Sequence, residues 1–283
     1  MPGRSAGDRV IGVDFTSAPR PRKPLTVAVG RLRSLSRDPV YRVDAIRELH
    51  ALGDFEMLLH EAGDWLGGFD LPFGQPRSLI EHEGWPTDWP AFVDFYCSQP
   101  REHLRDVFRR WCAGRPVGGK FAWRKTDKPA GSSPAMRWTN PPVAWMMHAG
   151  IGRMLAAGLS FPAHRVTGRR ADRGKIALEA YPGFTARHAC RQSYKSDAAS
   201  AQTPQRRVNR RTILDALIAG TAGLGVRLEL PAVVARRMLA DGSGDLLDAV
   251  ICGLQAAHAS RLPNYGLPPD LDPLEGWIAS VPP

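Results

Sequence analysis

The chain has 283 residues, 43% of them apolar and 23% charged. That balance fits a folded globular protein and excludes a disordered or low-complexity chain. No apolar run approaches the roughly 18 residues of a membrane helix, and residues 1–8 carry no signal-type apolar segment, so a cytoplasmic protein without membrane attachment is expected.

Thirty-eight basic residues against 28 acidic ones leave a net charge of +10. Such a surplus favours a polyanionic partner such as nucleic acid, although an arginine-rich composition without functional meaning gives the same sum. Cys97, Cys112, Cys190 and Cys252 are far apart, with no Cys-x-x-Cys pair. Zinc-ribbon and thioredoxin motifs are thereby excluded. No P-loop, no strand-linked Gly-x-Gly-x-x-Gly and no Gly-x-Ser-x-Gly elbow is present.

In chain order, residues 10–14 read as a buried strand, followed by a turn and the basic, proline-rich loop Arg20-Pro21-Arg22-Lys23-Pro24. Residues 25–29 and 40–46 read as two more strands, and the short links suggest an antiparallel meander. A helix is expected from Gly53-Asp54, with Phe55, Leu58, Leu59 and Ala62 as its apolar face, then a strand over 65–69. Residues 74–172 differ. Helical patterns over 92–112, broken at Pro100, and over 142–159 flank a Gly-, Ser- and Lys/Arg-rich loop. This stretch reads as an insertion over one end of the sheet, within a single domain of residues 1–283. A fifth strand over 175–180, a short helix after Pro182-Gly183 and helices over 206–219, 231–239 and 245–258 follow; the proline-rich tail is expected to lie irregularly on the surface. The fold class is therefore α/β.

Four carboxylates interrupt apolar runs. Asp14 ends Val10-Ile11-Gly12-Val13, Asp70 ends Trp65-Leu66-Gly67-Gly68-Phe69, Glu179 ends Ile176-Ala177-Leu178, and Asp248 lies within Leu246-Leu247-Asp248-Ala249-Val250-Ile251. A carboxylate in apolar surroundings is costly unless a cation or hydrogen bonds compensate it. Ligands collect at the carboxyl ends of strands in α/β sheets, and Asp245 shares a helix face with Asp248 three residues on. Oxygen donors without accompanying His or Cys suit Mg²⁺ or Mn²⁺ better than Zn²⁺, and two such ions support phosphodiester cleavage. Each residue has a plainer reading. Asp14 caps a turn near Thr16 and Ser17; Asp70 forms a turn before Leu71-Pro72; Asp245 caps its helix; Glu179 pairs with an arginine such as Arg187.

Ile11-Gly12-Val13-Asp14-Phe15, Gly68-Phe69-Asp70-Leu71-Pro72-Phe73-Gly74, Leu178-Glu179-Ala180-Tyr181-Pro182 and Asp245-Leu246-Leu247-Asp248-Ala249-Val250 occur in that order along most of the chain. In them the chain resembles the RNase H-like superfamily, which includes the RuvC-type resolvases, and more closely a family of predicted RNase H-like nucleases, domain of unknown function 429. The resemblance implies a five-stranded mixed sheet with its first three strands antiparallel, flanked by helices. It also implies Asp14, Asp70 and Asp248 as metal ligands, with Glu179 or Asp245 as a fourth.

Arg20, Arg22 and Lys23 are candidate phosphate contacts beside Asp14. Lys120, Arg124 and Lys125, interleaved with Phe121 and Trp123, form a candidate nucleic-acid strip, since rings stack bases and cations hold the backbone. Arg206, Arg207, Arg210 and Arg211 read as a solvated helix face, and His148 and His164 as structural. A divalent-metal-dependent nuclease acting on DNA or RNA leads. An actin-like ATPase or kinase is faintly suggested by Asp14-Phe15-Thr16-Ser17, but Phe15 stands where that class has glycine. A non-catalytic nucleic-acid-binding protein is the third reading.

Overall fold

The computed structural model describes residues 8–33, 38–169 and 174–282. Its centre is a six-stranded mixed sheet in the order β5-β4-β1-β2-β3-β6. The strands are β1 (Arg9–Asp14), β2 (Leu25–Arg33), β3 (Val40–Leu49), β4 (Trp65–Asp70), β5 (Lys175–Glu179) and β6 (Arg227–Glu229). β1, β2 and β3 form the expected antiparallel meander, β4 and β5 run parallel to β1, and β6 runs parallel to β3.

The sixth strand corrects the five-stranded expectation. It has three residues, of which only Leu228 is buried, so no alternation marks it in the sequence.

Ten helices are described: α1 (Leu52–His60), α2 (Arg77–His82), α3 (Trp89–Ser98), α4 (Arg101–Ala113), α5 (Asp127–Ala130), α6 (Val143–Ala156), α7 (Pro182–Ala189), α8 (Pro204–Ala219), α9 (Ala232–Ala240) and α10 (Asp245–Ala259). Alternation along each strand divides the core in two. Ile11, Val13, Val27 and Phe69 pack with α1, α3, α4 and α6 on one face. Val10, Ala28, Leu66 and Leu178 pack with α7, α8, α9 and α10 on the other. The inserted helices, together with α1, thus build one layer of the core, in which Gly150 of α6 lies against Phe15 and Leu71 beyond the carboxyl ends of β1 and β4.

α10 is the central helix. All its residues except His258 are buried. It reaches the sheet because Gly12 and Gly68, register partners on β1 and β4, carry no side chain. A Cβ on Gly12 would stand 2.1 Å from the Ala249 carbonyl oxygen, and one on Gly68 2.2 Å from that of Cys252. Helix backbone against strand backbone is a contact only glycine permits.

The tail is not a loose surface segment. Leu267, Leu271, Leu274, Trp277, Ile278 and Val281 are buried, and the Ala279 amide donates to the Glu179 carbonyl at 2.8 Å beside a parallel bridge between Glu179 and Ile278. Its prolines interrupt regular structure without preventing burial. No helix among the described residues is long and apolar enough to cross a membrane.

Candidate functional site: a carboxylate cluster at the ends of two parallel strands

Asp14 and Asp70 are register partners at the carboxyl ends of β1 and β4. They share parity with Gly12 and Gly68, so both side chains face α10. Asp248 is fully buried and Asp245 is 8% exposed, both in the first turn of α10. The glycine contacts that seat this helix also bring its first turn over the strand ends.

The cluster gathers more carboxyl groups than cations. Burial pushes the Asp14 carboxyl well above the usual carboxylate range, with Asp245, Asp248 and Asp70 adding to it and Lys195 opposing. Asp70 is pushed up to about 7, again by burial first; Lys195 works against the shift, and Asp248, Glu179 and Asp245 add to it. Asp245 is raised by burial, with Lys23 opposing. Mutual repulsion of desolvated carboxylates is the physical signature of a site that calls for positive charge.

Two cations answer it. The Lys195 ammonium bonds one oxygen of Asp248, and the Tyr194 hydroxyl donates to the other at 2.6 Å. Lys23 pairs with Asp197 and lies 3.4 Å from Asp245. Burial opposes the charge on Lys23, and Asp197, Asp245 and Asp14 outweigh it, so its pKa rises. Neither Tyr194 nor Lys195 stands out in the sequence, because the segment between α7 and α8 has no periodicity.

Asp245 is not a helix cap. Gly244, at φ 81°, occupies the cap position, and Asp241 does the capping, accepting from the Leu246 amide at 3.0 Å and the Ser243 amide at 3.0 Å.

Glu179 does not join the cluster. It lies opposite Phe69 in register, one residue short of Asp70, and shares parity with Ala177 on the other face of the sheet. There it receives both terminal nitrogens of Arg124, at 2.6 and 2.7 Å, and the Phe73 amide at 2.9 Å. The arginine-paired reading of Glu179 therefore holds, with Arg124 rather than Arg187 as partner. Arg187 instead bonds the Ala130 carbonyl and the Tyr181 hydroxyl.

The same contacts correct the basic strip. Arg124 is 2% exposed and held between Glu179 and Asp127, with no surface for a nucleic acid. Lys120 and Lys125 are exposed on either side of it. Arg210 likewise leaves the solvated face assigned to it: it is buried and donates to the Tyr194 and Leu239 carbonyls. Arg20 and Arg22 are exposed and, with Lys23, Asp241, Ser243 and Asp245, line a cleft of about 660 Å³ beside the cluster. His148 and His164 bond the Gln99 and Pro273 carbonyls, and His164 stacks on Trp89 at 4.0 Å. Both fit structural roles.

The donor chemistry suits a hard divalent cation: oxygen ligands, desolvated and mutually repelling. The present arrangement does not close around one. Among the described residues no three His, Cys, Asp or Glu side chains stand together in ion-holding positions, and Asp248 has both oxygens engaged.

No family model matches the chain, and no curated protein or solved structure matches it.

Proposed function

We propose that the protein is an RNase H-like, divalent-metal-dependent nuclease that hydrolyses phosphodiester bonds of DNA or RNA. The observation that carries the reading is the convergence of Asp14, Asp70, Asp245 and Asp248 at the carboxyl ends of two adjacent parallel strands. The sheet order β5-β4-β1-β2-β3, with its first three strands antiparallel, supports the fold assignment and leaves β6 as an addition.

In this reading Asp14, Asp70 and Asp248 hold Mg²⁺ or Mn²⁺, with Asp245 beside them. A divalent ion held there would supply activation of water and stabilisation of the leaving oxygen. The chain's own residues supply a desolvated cluster, and Arg20, Arg22 and Lys23 line the adjoining cleft where a phosphate backbone would lie. Glu179 and Arg124 serve the fold. The kinase-type alternative draws nothing from the geometry, because Phe15 is buried against Phe55, with ring centroids 5.3 Å apart, where that class needs a glycine turn on phosphate.

The test is cleavage of single-stranded, duplex and branched DNA and RNA with Mg²⁺ or Mn²⁺, comparing wild type with Asp14→Asn and Asp70→Asn. Loss of metal-dependent cleavage in both variants, with cooperative unfolding retained, is expected. Cleavage that survives both substitutions refutes the assignment.

A further inference from the structure

Lys195 enters the carboxylate cluster from outside the sheet. Its side chain is 42% exposed, whereas Asp248, which its ammonium bonds, is fully buried. The stem therefore runs in from solvent and only the charged head sits at the cluster. Asp14, Asp70 and Asp245 each feel this same cation.

The backbone beneath it is fixed. The Asn209 side chain donates to the Ser193 carbonyl at 2.8 Å, and buried Arg210 donates to the Tyr194 carbonyl at 2.7 Å. The Ser196 amide donates to the Gly242 carbonyl at 3.0 Å, and Lys23 ties down Asp197. The main chain that presents Lys195 is thus held in place, and the lysine stem lies beside Gly244 at the start of α10.

We propose that Lys195 is a built-in counter-ion that competes with a divalent cation for Asp248, so that entry of the ion displaces the ammonium toward the mouth of the cluster. The inference rests on the metal-dependent reading and explains why the carboxylates do not stand ready to hold an ion. Two ammonium groups, Lys195 and Lys23, face four carboxylates, whereas a divalent ion brings twice the charge of either and prefers the oxygen donors Lys195 covers. The binding-competent state is the one with Lys195 withdrawn, and apparent metal affinity falls with the fraction of molecules in that state.

Calorimetric titration of the metal-free full chain with MnCl₂ tests this. Lys195→Gln is expected to bind Mn²⁺ about fivefold or more tightly than wild type, the lower end of ordinary site-to-site coupling. Lys195→Arg is expected to stay near wild type, and Asp248→Asn to lose the gain when combined with Lys195→Gln. Lys195→Ala carries the same expectation as Lys195→Gln and guards against a folding defect peculiar to one variant; thermal unfolding checks both. Equal or weaker Mn²⁺ binding in Lys195→Gln and Lys195→Ala overturns the competition and leaves the metal reading standing. Absence of binding in every variant overturns both.

Discussion

Asp14 and Asp70 stand side by side at the ends of two hydrogen-bonded parallel strands, with their carboxylates on the same face. Like charges in this position call for positive charge nearby or for a proton kept on one carboxyl. Here that charge comes from Lys195 and Lys23, both reaching in from loops. The sheet therefore provides the negative half of the site and the loops the positive half.

The raised Asp70 pKa makes a prediction about stability. Its folded value is about 7 against an ordinary 3.8. Between those values the folded protein keeps a proton that the unfolded chain has released, so stability falls as pH rises through this window. Asp70→Asn removes the effect. The variant is expected to match wild type near pH 4 and to exceed it by on the order of 4 kcal/mol above pH 7, each pH unit between the two values being worth about 1.4 kcal/mol. Urea unfolding of both proteins across pH 4–8 measures the difference and cancels the buried histidines common to both. A difference that does not grow with pH would mean Asp70 is ionised without penalty.

Gly68→Ala tests how the site is positioned. The added methyl meets the Cys252 carbonyl oxygen, a backbone atom that moves only if α10 moves. Overpacking of this kind costs about 1–3 kcal/mol, and the upper end is expected because no side chain is there to give way. The displaced helix carries Asp248 with it, so Mn²⁺ affinity is expected to fall as well. Stability measured by denaturant, together with metal titration, separates a packing defect from a site defect.

Much of this arrangement is legible in the sequence because it rests on local pattern. Asp14 and Asp70 close apolar strands, Asp248 interrupts an apolar helix, and both patterns survive in the structure. Glu179 shows where such reading stops. It also closes a buried strand, but a register offset of one residue turns it to the other face. Pairing register is not written in a single strand. Arg124 was hidden for a related reason: a basic residue between Trp123 and Lys125 looks like surface until its partner, 55 positions away, is known. Lys195 lies in an aperiodic segment, and only the fold around α8 shows why it is held there.

Arg124 is expected to be indispensable to stability and irrelevant to ligand binding. It bonds Glu179, Asp127 and the Glu275 carbonyl in the interior. Arg124→Met leaves two carboxylates buried without their cation, a loss of about 3–5 kcal/mol for a broken buried pair. Adding Glu179→Gln to Arg124→Met is expected to recover part of it, because one uncompensated charge is gone. Thermal and denaturant unfolding of the single and double variants give the coupling. Additive losses would mean that the pair does not act as a unit.

The surface cations are expected to sort by position. Arg20 and Arg22 line the cleft beside the carboxylates, whereas Lys120 and Lys125 are exposed elsewhere on the surface. Each cation that neutralises a phosphate contributes about 0.9 to the slope of log affinity against log salt on duplex DNA, and about 0.7 on single strands. Arg20→Ala with Arg22→Ala is therefore expected to flatten the slope by roughly 1.4–1.8 and to weaken binding across all sequences, since phosphate contacts read no bases. Lys120→Ala with Lys125→Ala is expected to change it little, because the residue between them, Arg124, faces inward and breaks the strip. Fluorescence anisotropy with labelled single-stranded and duplex DNA at several salt concentrations, in EDTA to suppress cleavage, measures both. A larger effect from the Lys120 and Lys125 pair would move the nucleic-acid path away from the cleft, and an unchanged slope in both double variants would remove these four cations from it.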